Sequence, residues 1–201
     1  MLTVTRRDEI VAAATQLFAE KGYEGASMSD LAERVGLRKA SLFHHFTSKE
    51  ELREAVLERL ITEIAVEVAA AAAADSAFPD RLDGLSDAIV QVLAHHQYAA
   101  RVILREAMEW GPHEKGPTAT GVQTVLAAGA EFVRAGQRAG AFRPGDARHI
   151  VMSLVGIHFM PFVIAGVVEG TGEPSPFSEA YVTARRAEVR AHVRALMVIP
   201  K

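Results

Sequence analysis

The sequence predicts an all-α protein, and three observations predict it. Apolar residues recur at spacings of three and four along most of the chain. The breaks between these runs, DSAFPD, GPHEKGP, AGAFRPG and EGTGEPSP, are short and rich in glycine or proline. No stretch shows the convincing apolar–polar alternation of a half-buried strand. The 201 residues, 49% hydrophobic and 23% charged, suffice for a sizeable core and for one or two domains.

Arg6 to Lys21 reads as the first helix, with Ile10, Ala14, Leu17 and Phe18 on one stripe and Gly22 as its C-cap. The stretch from Ser27 to Leu52 then reads as a helix, a glycine turn, a very short helix and the capped start of a third. Ser27 can cap the first of these, with Asp30 three residues on. Leu31 and Val35 share a face, and Gly36 allows a sharp turn with positive φ. Leu42 and Phe46 point inward, which turns Lys39, Ala40, Phe43 and His44 outward. Ser48 caps a long helix with an acidic first turn, whose free N–H groups and Lys49 suit a phosphate. Between Arg34 and Lys49 the cations Arg34, Arg38, Lys39 and Lys49 occur without an acid, in a chain of net charge −3. This is the layout of a helix-turn-helix whose short helix enters a DNA groove. Candidate DNA-binding residues are Ser27, Arg38, Lys39, Ala40, Ser41, Phe43, His44, His45 and Lys49.

Residues 12–52 resemble the TetR family of transcriptional regulators. The elements LF-x-x-KGY, S-x-x-D-L-A, V-G-x-x-x-x-S-L-F-x-x-F and S-K-E-x-L stand in the family's order and spacing. The resemblance implies an N-terminal three-helix DNA-binding domain (1–52). It also implies a C-terminal helical ligand-binding and dimerisation domain (53–201). The implied function is that of a homodimeric repressor, released from a palindromic double-stranded operator by a small molecule. Two positions depart from the pattern. Phe43 replaces the usual tyrosine and loses a phenolic donor. Arg38 stands where serine or threonine is common, and could serve a phosphate or fork onto guanine.

Behind the head, the long helix runs to about Ala74 and ends in an alanine tract. Further helices are expected at 81–97, 98–110, 121–139, 146–168 and 176–197. The segment Ile150–Val168 has no Asp, Glu, Lys or Arg and is nearly long enough to span a bilayer. His158, Ser153 and Pro161 at its middle, and the lack of an aromatic belt, favour a helix buried between its own domain and a second subunit. Pro161 should kink it and free the carbonyl near Ile157. Ser178–Met197 carries Tyr181, Val182, Val189, Val193, Leu196 and Met197 on a stripe, with arginines elsewhere. It suits either a dimer seam with Ile150–Val168 or the cover of a monomer core, and the resemblance selects the homodimer.

For the effector the sequence offers polar and aromatic groups in apolar helices. Candidates are Met108, Trp110, Phe132, His158, Phe159 and Phe162, with His95 and Glu106 as further members, for an apolar or amphipathic small molecule. His158 also reads as a core histidine bonded to a carbonyl, the commoner case for a buried polar group. His95 and His96 are adjacent and diverge by about 100° on a helix. Glu106 and Glu109 share a face, but His113 and Glu114 lie beyond Gly111-Pro112, so no metal site is expected. There is no cysteine, and no G-x-S-x-G, P-loop or G-x-G-x-x-G motif. Neither enzymatic activity nor a cofactor is expected. No signal peptide is visible, and a cytoplasmic location without membrane association is expected.

Overall fold

Helix α1 (Arg6–Gly25) begins at a complete capping box. The Thr5 side chain accepts from the Asp8 amide, and the Asp8 carboxylate accepts from the Thr5 amide. In this computed structural model, which describes residues 5–97, 99–111 and 116–200, the predicted C-cap Gly22 bends the helix at φ 76°. One further turn then carries it to Gly25. The stripe Ile10, Ala14, Leu17 and Phe18 is buried as expected. Helices α2 (Met28–Arg34) and α3 (Lys39–His45) complete a three-helix head.

Helix α4 (Lys49–Ala73) leaves the head from the Ser48 cap, whose hydroxyl accepts from the Glu51 amide. It packs against α1 on the head side and against α5 (Phe78–His95), α6 (Ala99–Glu109) and α7 (Pro117–Arg138) on the other. Its buried residues from Leu52 to Val68 belong to one cluster that runs from Ile10 in the head to Met197 near the C-terminus. The alanine tract ends the helix, as read from sequence. Its last turn is capped by Arg81, which donates to the carbonyls of Ala71 and Ala72. The same guanidinium lies 4.4 Å from the centroid of the Phe78 ring, in a trio with Phe132 and Phe142.

Two helices start earlier than expected. α5 begins at Phe78 rather than Arg81, and α7 at Pro117 rather than Gly121. The prolines that read as breakers sit in the first turn of each, where a missing N–H costs nothing and φ is already helical. α6 is described from Ala99, so the predicted start at Tyr98 lies outside the described residues.

The long apolar segment is two helices, α8 (Ala147–Val163) and α9 (Ala165–Gly170), broken at Ile164 (φ −100°, ψ 27°). Pro161 frees the Ile157 carbonyl as predicted, and the orphan finds a partner: Arg185 donates to it at 2.5 Å from α10 (Glu179–Met197). No helix among the described residues is long and apolar enough to cross a membrane.

Helix α10 corrects one reading. Val189, Val193 and Met197 of the expected seam face the chain's own core, and only Leu196 of that stripe is largely exposed. Three of its arginines, read as lying on other faces, clamp α5. Arg186 and Arg190 meet Asp87 at 2.8 and 3.1 Å, and Arg194 meets Asp83 and Asp80 at 2.8 and 3.1 Å.

Candidate nucleic-acid interface

The α2–turn–α3 unit is built by local signals. Ser27 and Asp30 form a full capping box, since the Ser27 hydroxyl accepts from the Asp30 amide and the Asp30 carboxylate accepts from the Ser27 amide. Gly36 takes φ 67°, a conformation that an L side chain resists. The chain then turns back far enough for the Leu37 amide to donate to the Ala32 carbonyl at 2.8 Å. Leu42 and Phe46 are fully buried. Their burial fixes the rotation of α3 and leaves Arg38, Lys39, Ala40, Phe43 and His44 exposed, with Ser41 and His45 half-buried.

Charge is arranged more narrowly than the sequence suggested. Arg34 makes a two-pronged bond to Glu20, Nη2 to Oε2 at 2.6 Å and Nη1 to Oε1 at 3.2 Å, which holds the Glu20 carboxyl below its ordinary value. Lys49 lies with Nζ 4.1 Å from the centroid of the Tyr23 ring and 3.5 Å from the Glu24 carbonyl oxygen. The Tyr23 hydroxyl donates to Glu50, and burial, aided by that carboxylate, pushes the phenol up to about 12. Arg34 and Lys49 are thus tied to α1, Arg34 through Glu20 and Lys49 through Tyr23 and Glu24. Arg38, Lys39 and His44 make no ion pair among the described residues and remain as the outward donors of α3. Ser27 is exposed at the head of α2; its oxygen serves the cap while its O–H remains free to donate.

Two side chains of this unit were missed in the sequence. Arg6 donates to the Val35 carbonyl, and Arg7 donates to the His45 carbonyl. A signal for them exists: cations in the first turn of a helix oppose its dipole, so a pair of arginines there calls for partners elsewhere.

The effector candidates do not form one group. His158, Phe159 and Phe162 are buried on α8, and Phe162 meets Phe177 at 5.9 Å between centroids. Phe132 belongs instead to the aromatic trio with Phe78 of α5 and Phe142 of the α7–α8 connection. Met108 is 79% exposed at the end of α6, and Trp110 follows it half-buried. His158 Nδ1 lies 2.7 Å from the Leu154 carbonyl oxygen, so that nitrogen carries the proton and donates. Burial lowers the imidazole below its usual value, and Nε2 has no partner among the described residues. A neutral ring with this tautomer presents a buried acceptor.

Two clefts meet at His95 and His96. One, of about 560 Å³, lies between α4, α5 and α10 and is lined by Glu63, Val92, Phe177 and Val182 among others. The second, of about 270 Å³, lies under the head, against Ala12, Thr15 and Gln16 of α1 and Arg59 of α4. His96 contacts the Glu63 carboxylate across the first. Burial depresses this imidazole despite the carboxylate, so a neutral His96 donates Nε2–H to Glu63. His95 and His96 stand edge to face, and no three metal-ligating groups gather among the described residues. His113 and Glu114 lie outside the described residues. Buried Glu106 sits 3.5 Å from Arg53, and burial raises its carboxyl.

The family model described as bacterial regulatory proteins, tetR family, matches residues 10–56, which span the buried face of α1, the helix-turn-helix and the start of α4. These residues thus match the DNA-binding head of the TetR family. It is 33% identical over 98 residues to the HTH-type transcriptional activator FasR of Mycolicibacterium smegmatis, a match covering 49% of this chain and 45% of FasR. Over 48 residues it is 46% identical to the biofilm operon negative regulator IcaR of Staphylococcus aureus, covering 24% of this chain and 26% of IcaR. The chain thus spans less than half the length of the curated relatives it matches. The fold extends further than the sequence match. The ketosteroid transcriptional regulator KstR2 of Mycobacterium tuberculosis superposes with a TM-score of 0.80 at 20% identity, over 99% of this chain and 98% of KstR2. AibR, solved with isovaleryl coenzyme A and operator DNA, gives 0.74 at 19% identity, over 96% and 98%.

Proposed function

We propose that the protein is a DNA-binding transcriptional regulator, a ligand-released repressor that binds a palindromic operator as a homodimer. The observation that carries this reading is the outer face of α3, where Arg38, Lys39 and His44 stand exposed, without an ion pair among the described residues, around Ala40 and Phe43. Cations and donors suit phosphate oxygens and the acceptors of guanine, while Ala40 and Phe43 suit thymine methyls. Residues 1–52 serve as the reading head. Residues 53–201 serve as the body that holds the effector and pairs with a second copy. The repressor sense is supported by the head's likeness to IcaR, described as a negative regulator. FasR, described as an activator, favours the opposite sense, and transcription from a selected promoter with and without the protein separates the two.

The homodimer is supported by the outward face of α8 and α9. Met152, Met160, Ile164 and Val167 form an exposed apolar strip there, and Leu196 of α10 is also exposed. The effector is proposed to be an apolar or amphipathic small molecule. It enters by the cleft between α4, α5 and α10, where Phe177 backs onto Phe162, and would meet the buried acceptor Nε2 of His158, which does not line that cleft, only by opening it further toward α8. AibR, described with both an acyl-coenzyme A and operator DNA, supports a ligand-responsive body in a protein of this fold.

The test is binding of duplexes drawn from a random pool, measured across salt. Selection of a sequence, with affinity falling steeply as salt rises, is the expected result. Absence of any salt-dependent duplex binding would remove the reading.

A further inference from the structure

We propose that Arg6 and Arg7 are positioning residues that set operator selectivity, Arg6 by holding the C-cap of α2 ahead of the turn and Arg7 by clamping the C-terminal end of the recognition helix. The proposal rests on the reading of α3 as the DNA-reading element. The carbonyls they hold bracket it. Arg6 Nη2 donates to the Val35 carbonyl at 2.5 Å, just before the Gly36 turn. Arg7 Nη1 donates to the His45 carbonyl at 2.6 Å, at the last residue of α3. The Arg7 guanidinium also lies 4.0 Å from the centroid of the Phe46 ring, and its Nη2 lies 3.4 Å from Glu51 at the start of α4.

α3 needs such support. It has only seven residues, too few to repay its own nucleation. Its N-cap Arg38 makes no side-chain cap bond, and of its own residues only Leu42 is buried. The His45 carbonyl is one of the orphan acceptors at a helix end. A guanidinium satisfies it through one nitrogen, lies over the neighbouring ring and reaches Glu51 through a second nitrogen, a fork that the single nitrogen of an ammonium cannot span. The geometry of the donors is fixed in turn, because the Thr5–Asp8 capping box orders the first turn of α1, and Glu9 holds Arg6 at 2.5 Å.

Both guanidiniums are partly exposed, so a direct phosphate contact is the competing role, and the two roles differ in what they do to DNA binding. A phosphate contact acts on every duplex alike and contributes about one unit to the salt slope. A clamp acts on the fit of α3 to one sequence.

The test uses the full chain with Arg7→Ala, Arg7→Lys and Arg6→Ala. Millisecond hydrogen exchange of the free protein is read first. Arg7→Ala should speed exchange of the Leu42–Phe46 amides about tenfold and leave α5 and α10 unchanged. Affinity is then measured for a selected operator and for a scrambled duplex of equal length. Arg7→Ala and Arg7→Lys should both weaken the operator about tenfold, and Arg6→Ala less. The scrambled duplex should change by under about twofold, with its salt slope intact. Unchanged exchange in α3 would overturn the clamp whether or not DNA binds. Rescue by Arg7→Lys, or equal weakening of both duplexes with a smaller slope, would also overturn it in favour of a phosphate contact. Failure of the wild type to bind any duplex would instead remove the regulatory reading, while the exchange measurement still decides the clamp.

Discussion

The outer faces of α3 and of α8–α9 are both exposed, yet they are chemical opposites. On α3 the exposed groups are cations, an imidazole, a methyl and one ring, mounted over Leu42 and Phe46. On α8 and α9 the large exposed side chains between Met152 and Val167 are apolar: Met152 is 56% exposed, Met160 48% and Val167 65%. A cationic face loses little by remaining in water and gains from meeting phosphate. A contiguous apolar strip gains by leaving water, at about 25 cal/mol per Å². The difference teaches that an exposed face can announce the kind of surface it is made to meet. By our proposal, one meets nucleic acid and the other a copy of itself.

The largest expected effect comes from breaking the apolar face. Met160→Glu places a charge on a side chain that is already outside the core, so the monomer should keep its helicity. Self-association, followed by sedimentation, should weaken by more than about a hundredfold, since an unpaired charge in a desolvated seam costs several kcal/mol. A dimer of unchanged affinity would remove this face from the interface.

The comparison also requires that each face be mounted on a rigid body. Gly136 packs against Phe142, and a Cβ added there would overlap that ring. Gly136→Ala should lower unfolding free energy by about 1–3 kcal/mol in urea denaturation. An unchanged midpoint would show that the aromatic trio yields easily and that the body is looser than described.

Lys39→Ala should sharpen the cationic side. Its loss should change the preferred base at one position of a half-site, by about 1–3 kcal/mol of discrimination, as read by repeated selection from random duplexes. An unchanged consensus with uniformly weaker binding would reassign Lys39 to the phosphates.

The smallest effect is on pH. His158 is depressed by burial, so the unfolded chain binds a proton where the folded one does not. Its contribution is therefore present above about 6.5 and is lost as pH falls below that value toward the folded pKa. His96 acts in the same direction, while Glu106, raised by burial, acts in the opposite one. Comparing urea midpoints at pH 7.5 and 5.5 in wild type and His158→Gln isolates the His158 part. The variant should lose less stability on acidification, and an equal loss would show that His158 is not buried neutral.

What could be read in the sequence follows the same division. The head was legible because its signals are local: Ser27 with Asp30, Gly36, and Leu42 with Phe46 act within a few residues of one another. The Arg34–Glu20 pair and the Arg6 and Arg7 clamps were not legible, because partners 14, 29 and 38 residues away are chosen by packing. The starts of α5 and α7 were misplaced because proline both breaks a helix and opens one. In α8 nearly every position is apolar, so the helical period gives no phase, and Met160 could not be told from Phe162. The clefts at His95 and His96 draw on α1, α4, α5 and the start of α10, a juxtaposition that no linear spacing records.

The central claim is that two copies of this chain, paired through the apolar face, present two α3 helices to one duplex. Sedimentation of the protein with a duplex selected from a random pool tests it most directly. The account predicts two protomers per duplex and a selected sequence with inverted half-sites, centred about one helical turn or a multiple of it apart. A single protomer on a duplex without inverted symmetry would contradict it.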